Sequence, residues 1–164
     1  MQSELDFIPS PRSEAITRLA ARLWLPADPD DVFGFFADAA NLERLVPPWM
    51  KFRISTPQPI SMGNGTRIGY RLKIHGIPLK WTSEIHDWDP PRQFSDIKLG
   101  GPYRYWHHHH RFEPINGGTL VTDEVDYAPW GGHLIDRLLV RRDLRRAFRY
   151  RMDGLSVIFP GPPV

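Results

Sequence analysis

The 164-residue chain has no cysteine, which removes disulfides, thiolate metal sites and a cysteine nucleophile from consideration. It has no apolar run of about 18 residues, so no transmembrane segment is expected. The opening Met1-Gln2-Ser3-Glu4-Leu5-Asp6 lacks a basic stretch followed by an apolar one, so no secretory leader is expected and a cytoplasmic location is inferred. Charge of one sign is also missing. Lys+Arg total 21 against 19 Asp+Glu, a net +2 at pH 7, too small to mark a nucleic-acid binder. There is no Gly-x-Ser-x-Gly elbow, no Gly-rich phosphate loop and no paired-helix carboxylate motif, so neither a metal nor a cofactor is expected.

What is present describes one globular domain. Hydrophobic residues make up 41% and charged residues 24%, ordinary values for a chain long enough to bury a core. The 17 prolines fall mostly at turns. Residues 1–14 read as a flexible arm, 15–159 as the domain and 160–164 as a Pro-rich tail. Ile16 to Leu25 has β character. Asp28-Pro29-Asp30-Asp31 is a helix start, with an N-cap, a proline at the first helical position and acids at the positive end of the dipole. A short apolar helix and a further turn or two follow, stopped by Pro47-Pro48. Short strands come next: one around Phe52 and Ile54, then Ile68, Tyr70, Leu72 and Ile74 alternating with polar residues, and Leu79, Trp81, Ser83 and Ile85 doing the same. Pairing Ile74 with Leu79 across Gly76-Ile77-Pro78 brings the two apolar faces together. Phe94 to Leu99 forms another strand.

Four consecutive histidines, His107 to His110, then stand inside a second hairpin pattern. Thr119 to Tyr127 is the β-branched return strand, with a Gly-containing turn between. Neighbouring side chains on a strand face opposite ways, so the run splits into two pairs. With Pro114 to Gly117 as a four-residue loop, His108 lies opposite Asp123. Trp106, His108, His110 and Phe112 then share a mostly apolar face with Val121, Asp123, Val125 and Tyr127, and that face is assigned inward. His107 and His109 meet solvent. A His108–Asp123 pair serves either as a polarised imidazole or as a polar core pair that pins register. His108, His110 and Asp123 as a metal set gains no support from any other motif.

From about Leu134 to Phe159 apolar residues recur at Val140, Leu144, Phe148, Met152, Leu155 and Phe159, a long amphipathic helix. On a regular helical wheel Arg137 and Arg151 fall within the apolar stripe, whereas Arg142, Arg145, Arg146 and Arg149 point away. Arg151 is either an inward cation meeting Asp123, Asp96 or an anionic ligand group, or a stem that packs while its head snorkels out.

The order strand, two short helices, about six antiparallel strands and a long helix resembles the START-like superfamily, also called SRPBCC, with the helix-grip fold of birch-pollen allergen and polyketide cyclases. The carrying residues are Pro47-Pro48-Trp49, Met62-Gly63-Asn64-Gly65-Thr66, Trp88-Asp89-Pro90-Pro91-Arg92-Gln93-Phe94, Gly101-Pro102-Tyr103, Trp106 to Phe112, and Gly117-Gly118-Thr119 with Asp123. Across residues 15–158 the chain looks closest to a bacterial ligand-binding subgroup. The resemblance implies an α+β fold, in which a curved antiparallel sheet of six to seven strands wraps a long C-terminal helix and leaves a hollow between them. The expected ligand is a small hydrophobic or amphipathic molecule: a lipid, quinone, polyketide or aromatic metabolite. Tyr70, Trp81, Trp106, His108, His110, Asp123, Tyr127, Phe148 and Arg151 are the candidate ligand-binding residues. The alternative is a cyclase or dehydratase in which His108 is the acid or base, Asp123 orients it, and Tyr70 or Arg151 stabilises an enolate. A third reading is an interaction module whose arginine-rich helix makes weak contact with an acidic surface.

Overall fold

Two tight hairpins set the register of the molecule. A computed structural model describes residues 3–161. The eight strands are β1 (Glu4–Ser10), β2 (Ser13–Leu25), β3 (Arg53–Ile54), β4 (Arg67–Ile74), β5 (Ile77–Asp89), β6 (Gln93–Gly100), β7 (Tyr103–Ile115) and β8 (Gly118–Pro129). They form one antiparallel sheet in the order β1-β2-β8-β7-β6-β5-β4-β3. In the β4–β5 turn His75 and Gly76 have φ of 49° and 77°, and in the β7–β8 turn Asn116 and Gly117 have 52° and 74°. Two successive positive φ values match the type I′ turn, whose twist matches that of the strands it joins. The four-residue turns expected from the sequence are therefore two-residue turns. Ile74 pairs with Ile77 and Leu72 with Leu79; Ile115 pairs with Gly118, and Asp123 lies opposite His110 rather than His108. Each register is displaced by two residues, an even step, so no side chain changes face. Trp106, His108, His110 and Phe112 remain on the inner face.

The expected arm is also corrected. Residues 4–10 form the edge strand β1, because Leu5 and Phe7 pack against the core while the strand pairs along β2; two apolar residues in a short segment are too weak a periodic signal to read in advance. The last three residues of the expected tail, 162–164, lie outside the described residues. Gly118 shows how tightly β8 is packed against β2. A Cβ there would meet the Leu25 carbonyl oxygen and stand 2.7 Å from the Trp24 ring. Gly118→Ala is expected to cost roughly 1–3 kcal/mol by overpacking, read as a lowered midpoint in chemical denaturation; a loss below a few tenths would contradict this packing.

Two short helices, α1 (Pro29–Ala37) and α2 (Leu42–Leu45), lie between β2 and β3. Pro29 opens α1 as its sequence suggests, although Asp28 makes no side-chain cap bond. The C-terminal helix runs as α3 (Gly132–Ile135), a π-helical turn (Asp136–Val140) and α4 (Arg141–Ile158). The wider turn delays the helical phase. Asp136 is thereby brought inward, fully buried, and Arg137, expected in the apolar stripe, is exposed. Beyond the turn the regular wheel holds: Leu144, Phe148, Arg151, Met152 and Leu155 are buried. No described helix is long and apolar enough to cross a membrane.

Candidate functional site

Between the inner face of the sheet and α4 lies a cavity of about 230 Å³ with residues of α1 and α2 on its wall. Most of the lining is apolar, including Leu45, Ile68, Leu72, Ile85, Leu144 and Phe148. One part is polar, where Ser83, Asp96, His108, His110 and Arg151 come together with Tyr70. A larger groove of about 510 Å³ adjoins it and shares Met50, Ile74, Tyr103, Leu144 and Ala147 with it.

Of the residues expected at the site, Tyr70, Trp81, Trp106, His108, His110, Phe148 and Arg151 line this cavity. Asp123 stands behind the wall, and Tyr127 is turned away from it. The Tyr127 hydroxyl donates to Asp136 Oδ1 at 2.6 Å, and Asp136 Oδ2 receives Thr17 Oγ1 at 3.1 Å and Arg141 Nε at 2.8 Å. The π turn that buries Asp136 thus converts Tyr127 into an anchor for the start of the helix. Asp96, expected only as a candidate partner of Arg151 and not as a ligand-binding residue, also lines the cavity. Phe94 is core, so period two along β6 already places Asp96 on the inner face.

Asp123 is the centre of the polar cluster. Its Oδ1 receives His110 Nδ1 at 2.7 Å and His108 Nε2 at 3.0 Å; its Oδ2 receives Arg151 Nε at 3.2 Å. His110 Nε2 donates to Asp96 Oδ2 at 3.1 Å. Burial works against the charged form of Asp123, but Arg151 and the two histidines outweigh it and hold the carboxyl well below its ordinary range. Asp96 is likewise held low: burial opposes its charge, and His110, His108 and Arg151 reverse the balance. The two imidazoles divide the work. Burial pulls His110 down, yet hydrogen bonds to Asp123 and Asp96 raise it overall, and only an imidazolium can donate from both ring nitrogens. His108 is driven down to about 4 by burial and by the neighbouring His110 charge, with Asp123 offsetting part of the loss. At neutral pH it is therefore an uncharged ring that donates Nε2–H to Asp123 and keeps its lone pair on Nδ1, 3.8 Å from Asp96 Oδ2. Two carboxylates face one imidazolium and one guanidinium, so the cluster balances in charge.

Aromatic rings hold these groups in place. His110 stacks on Phe94 with centroids 4.3 Å apart, and the Arg151 guanidinium lies 5.0 Å from the Phe36 ring centroid. Burial and the Asp96 carboxylate raise the Tyr70 hydroxyl, so it stays a neutral O–H. Trp81 Nε1 is satisfied by Ser83 Oγ at 2.9 Å.

A sheet wrapped around one long helix, with an apolar hollow between them, defines a helix-grip protein. The sequence pattern of the polyketide cyclase / dehydrase and lipid transport family matches residues 25–155, and the chain belongs to that family, within the SRPBCC or Bet v 1-like superfamily. Solved structures agree in fold. Protein Ms6760 from Mycobacterium smegmatis is 15% identical with a TM-score of 0.72, covering 98% of this chain and 100% of that one. Ara h 8.0201 is 15% identical with a TM-score of 0.66 over 88% and 97%. The major latex-like protein 151 from Panax ginseng is 11% identical with a TM-score of 0.66 over 90% and 99%. Comparison with curated proteins yields no match.

Proposed function

We propose that the protein binds a small amphipathic molecule, its apolar body among Ile68, Leu72, Leu144 and Phe148 and its polar group beside His108 and Arg151. The observation that carries this reading is the cavity itself: about 230 Å³, mostly apolar, with the charge-paired cluster of Asp96, His108, His110 and Arg151 on its wall. That volume equals about eight waters at ~30 Å³ each, which favours a compact ligand or one that extends into the adjoining groove. Ala147 lines both spaces, and Ala147→Trp is expected to obstruct them. The fluorescent probe anilinonaphthalene sulfonate should bind the wild-type protein and lose at least about tenfold in affinity in the variant. Unchanged binding in a folded Ala147→Trp protein would defeat the proposal.

A cyclase- or dehydratase-type activity is the second reading, favoured by the state of His108. An uncharged imidazole, oriented through Nε2 and basic at Nδ1, has the form of a general base. It would take a proton from a carbon beside a carbonyl while the neutral Tyr70 hydroxyl donates a hydrogen bond to the enolate oxygen. The two readings part at His108→Ala, which leaves probe affinity largely intact in either case and abolishes turnover of a polyketide-like substrate only in the second. The arginine face gains nothing new as a docking surface: Arg145 and Arg146 lie 5.3 and 4.7 Å from the rings of Phe7 and Trp49.

A further inference from the structure

The other half of the histidine run has its own surroundings. His107 and His109 occupy the outer face of β7, as alternation requires, but both are half-buried rather than bathed in solvent. Asp87 of β5 joins them. It sits in an irregularity of the β5–β6 pairing between His86 and Asp89 and has a φ of +50°. Such bulges re-aim a side chain, and a positive φ in a residue other than glycine is held only where the surroundings enforce it. Here the bulge turns Asp87 across β6, where Ser95 Oγ donates to its Oδ2 at 2.6 Å.

One ring nitrogen of each histidine and one Asp87 carboxylate oxygen all lie within 4.8 Å of one another. A second observation points the same way. His107 Nε2 is buried and has no hydrogen-bond partner, the one such side-chain nitrogen or oxygen among the described residues. A buried nitrogen without a partner is costly, and a metal ion bound through that nitrogen would satisfy it. We propose that Asp87, His107 and His109 form a binding site for a divalent transition-metal ion of the zinc class on the outer face of the sheet.

The donor chemistry fits. Two imidazoles and a carboxylate suit zinc, cobalt or iron and leave a position for water. Ser95 holds one carboxylate oxygen of Asp87, and an outer-shell partner of this kind would orient the carboxylate as a metal ligand. Gln93 Oε1 stands 3.3 Å from His109 Nε2 and is placed to orient that ring or to supply a further oxygen. Metal–ligand bonds of about 2.0–2.2 Å set neighbouring ligand atoms about 3.3 Å apart, so the side chains need to draw together by on the order of an ångström. Nearby cations are already engaged: Arg12 with Asp126 at 2.9 Å and Arg111 with Glu124 at 3.2 Å. The ion would clip β5 to β7 across β6, on the reverse side of the strand that carries His108 and His110.

The test uses the full chain without a polyhistidine tag, stripped with chelator and titrated with Co²⁺ under calorimetric and visible-absorption readout. One equivalent is expected to bind with a ligand-field absorption band, and the melting temperature should rise with added cobalt. Asp87→Ala and His107→Ala should each weaken binding at least about tenfold while the metal-free proteins remain cooperatively folded, because neither residue belongs to the hydrophobic core. Absence of saturable cobalt binding would overturn the proposal. So would binding that survives both substitutions, or binding that Asp96→Asn abolishes and Asp87→Ala does not, which would place the ion at the inner cluster.

Discussion

Asp123→Ala is expected to destabilise the protein by about 3–5 kcal/mol, the range found when one member of a buried charged network is removed. Three donors converge on this carboxylate, from His108, His110 and Arg151. Truncation leaves Arg151 and His110 as buried cations with Asp96 as the one nearby counter-charge, and it strips His108 of the bond that fixes its ring. Single-domain stabilities of about 5–15 kcal/mol make this a large share of the total. Asp123→Asn should cost less, since an amide oxygen keeps one acceptor and the packing volume is unchanged. Urea denaturation of both variants against wild type checks the order. A loss under about 1 kcal/mol for Asp123→Ala would show that the network does not hold the wall together.

Acid should destabilise the fold well before its carboxylates titrate, and His108 should be the main cause. In the unfolded chain its pKa is about 6.5; in the folded protein it is about 4. Above pH 6.5 both states carry a neutral ring and the residue contributes no pH dependence. As pH falls from 6.5 toward 4 the unfolded state takes up a proton that the folded state refuses, so stability drops, and the decline from this group stops once the folded ring protonates. Over that window the loss is about 3 kcal/mol. His107 and His109 are also lowered, by burial first and then chiefly by Arg12 and Arg111 respectively, and they slope the same way. His110 has the opposite sign: raised in the fold, it gives its full contribution below pH 6.5 and loses it as pH climbs through its folded value. The depressed Asp96 and Asp123 contribute fully above the ordinary carboxylate range and lose that contribution only at still lower pH. Denaturation midpoints of wild type and His108→Gln, measured between pH 7 and 4.5 in chelator, separate these contributions. The variant should lose most of the acid slope. An unaltered slope would refute the assignment of a neutral, buried His108.

How far the sequence speaks is visible at the two hairpins. The apolar and polar faces of β4, β5, β7 and β8 were legible because alternation has a period of two, and an error of two residues in turn length leaves it intact. The pairings themselves were not legible. Asn116-Gly117 is a strong signal for a two-residue turn, but the neighbouring Pro114 and Gly118 offered a longer loop equally well. Arg151 was legible as an inward cation because α4 is regular, and Arg137 was misplaced because a π turn has no sequence signature that a helical wheel registers. Asp136 was hidden for the same reason. Asp96 followed from the alternation of β6 once Phe94 is taken as core. Asp87 did not follow from any pattern, since its direction is set by a bulge and a positive φ that depend on what the rest of the sheet imposes.

The charge balance of the inner cluster has a consequence for what the cavity admits. Asp96 and Asp123 are already matched by His110 and Arg151, so no cation is left over to receive an anionic ligand group. His108, uncharged at neutral pH, is the group of the cluster placed to take up a proton. A carboxylate entering the cavity would raise the affinity of that ring for a proton, and uptake of an acid would amount to uptake of the anion together with a hydrogen ion. A neutral ketone or phenol would enter without one. Under the proposed ligand-binding role, discrimination would depend on the proton that accompanies a ligand as well as on its shape, and preference among acids and neutral molecules would shift with the pH of the medium.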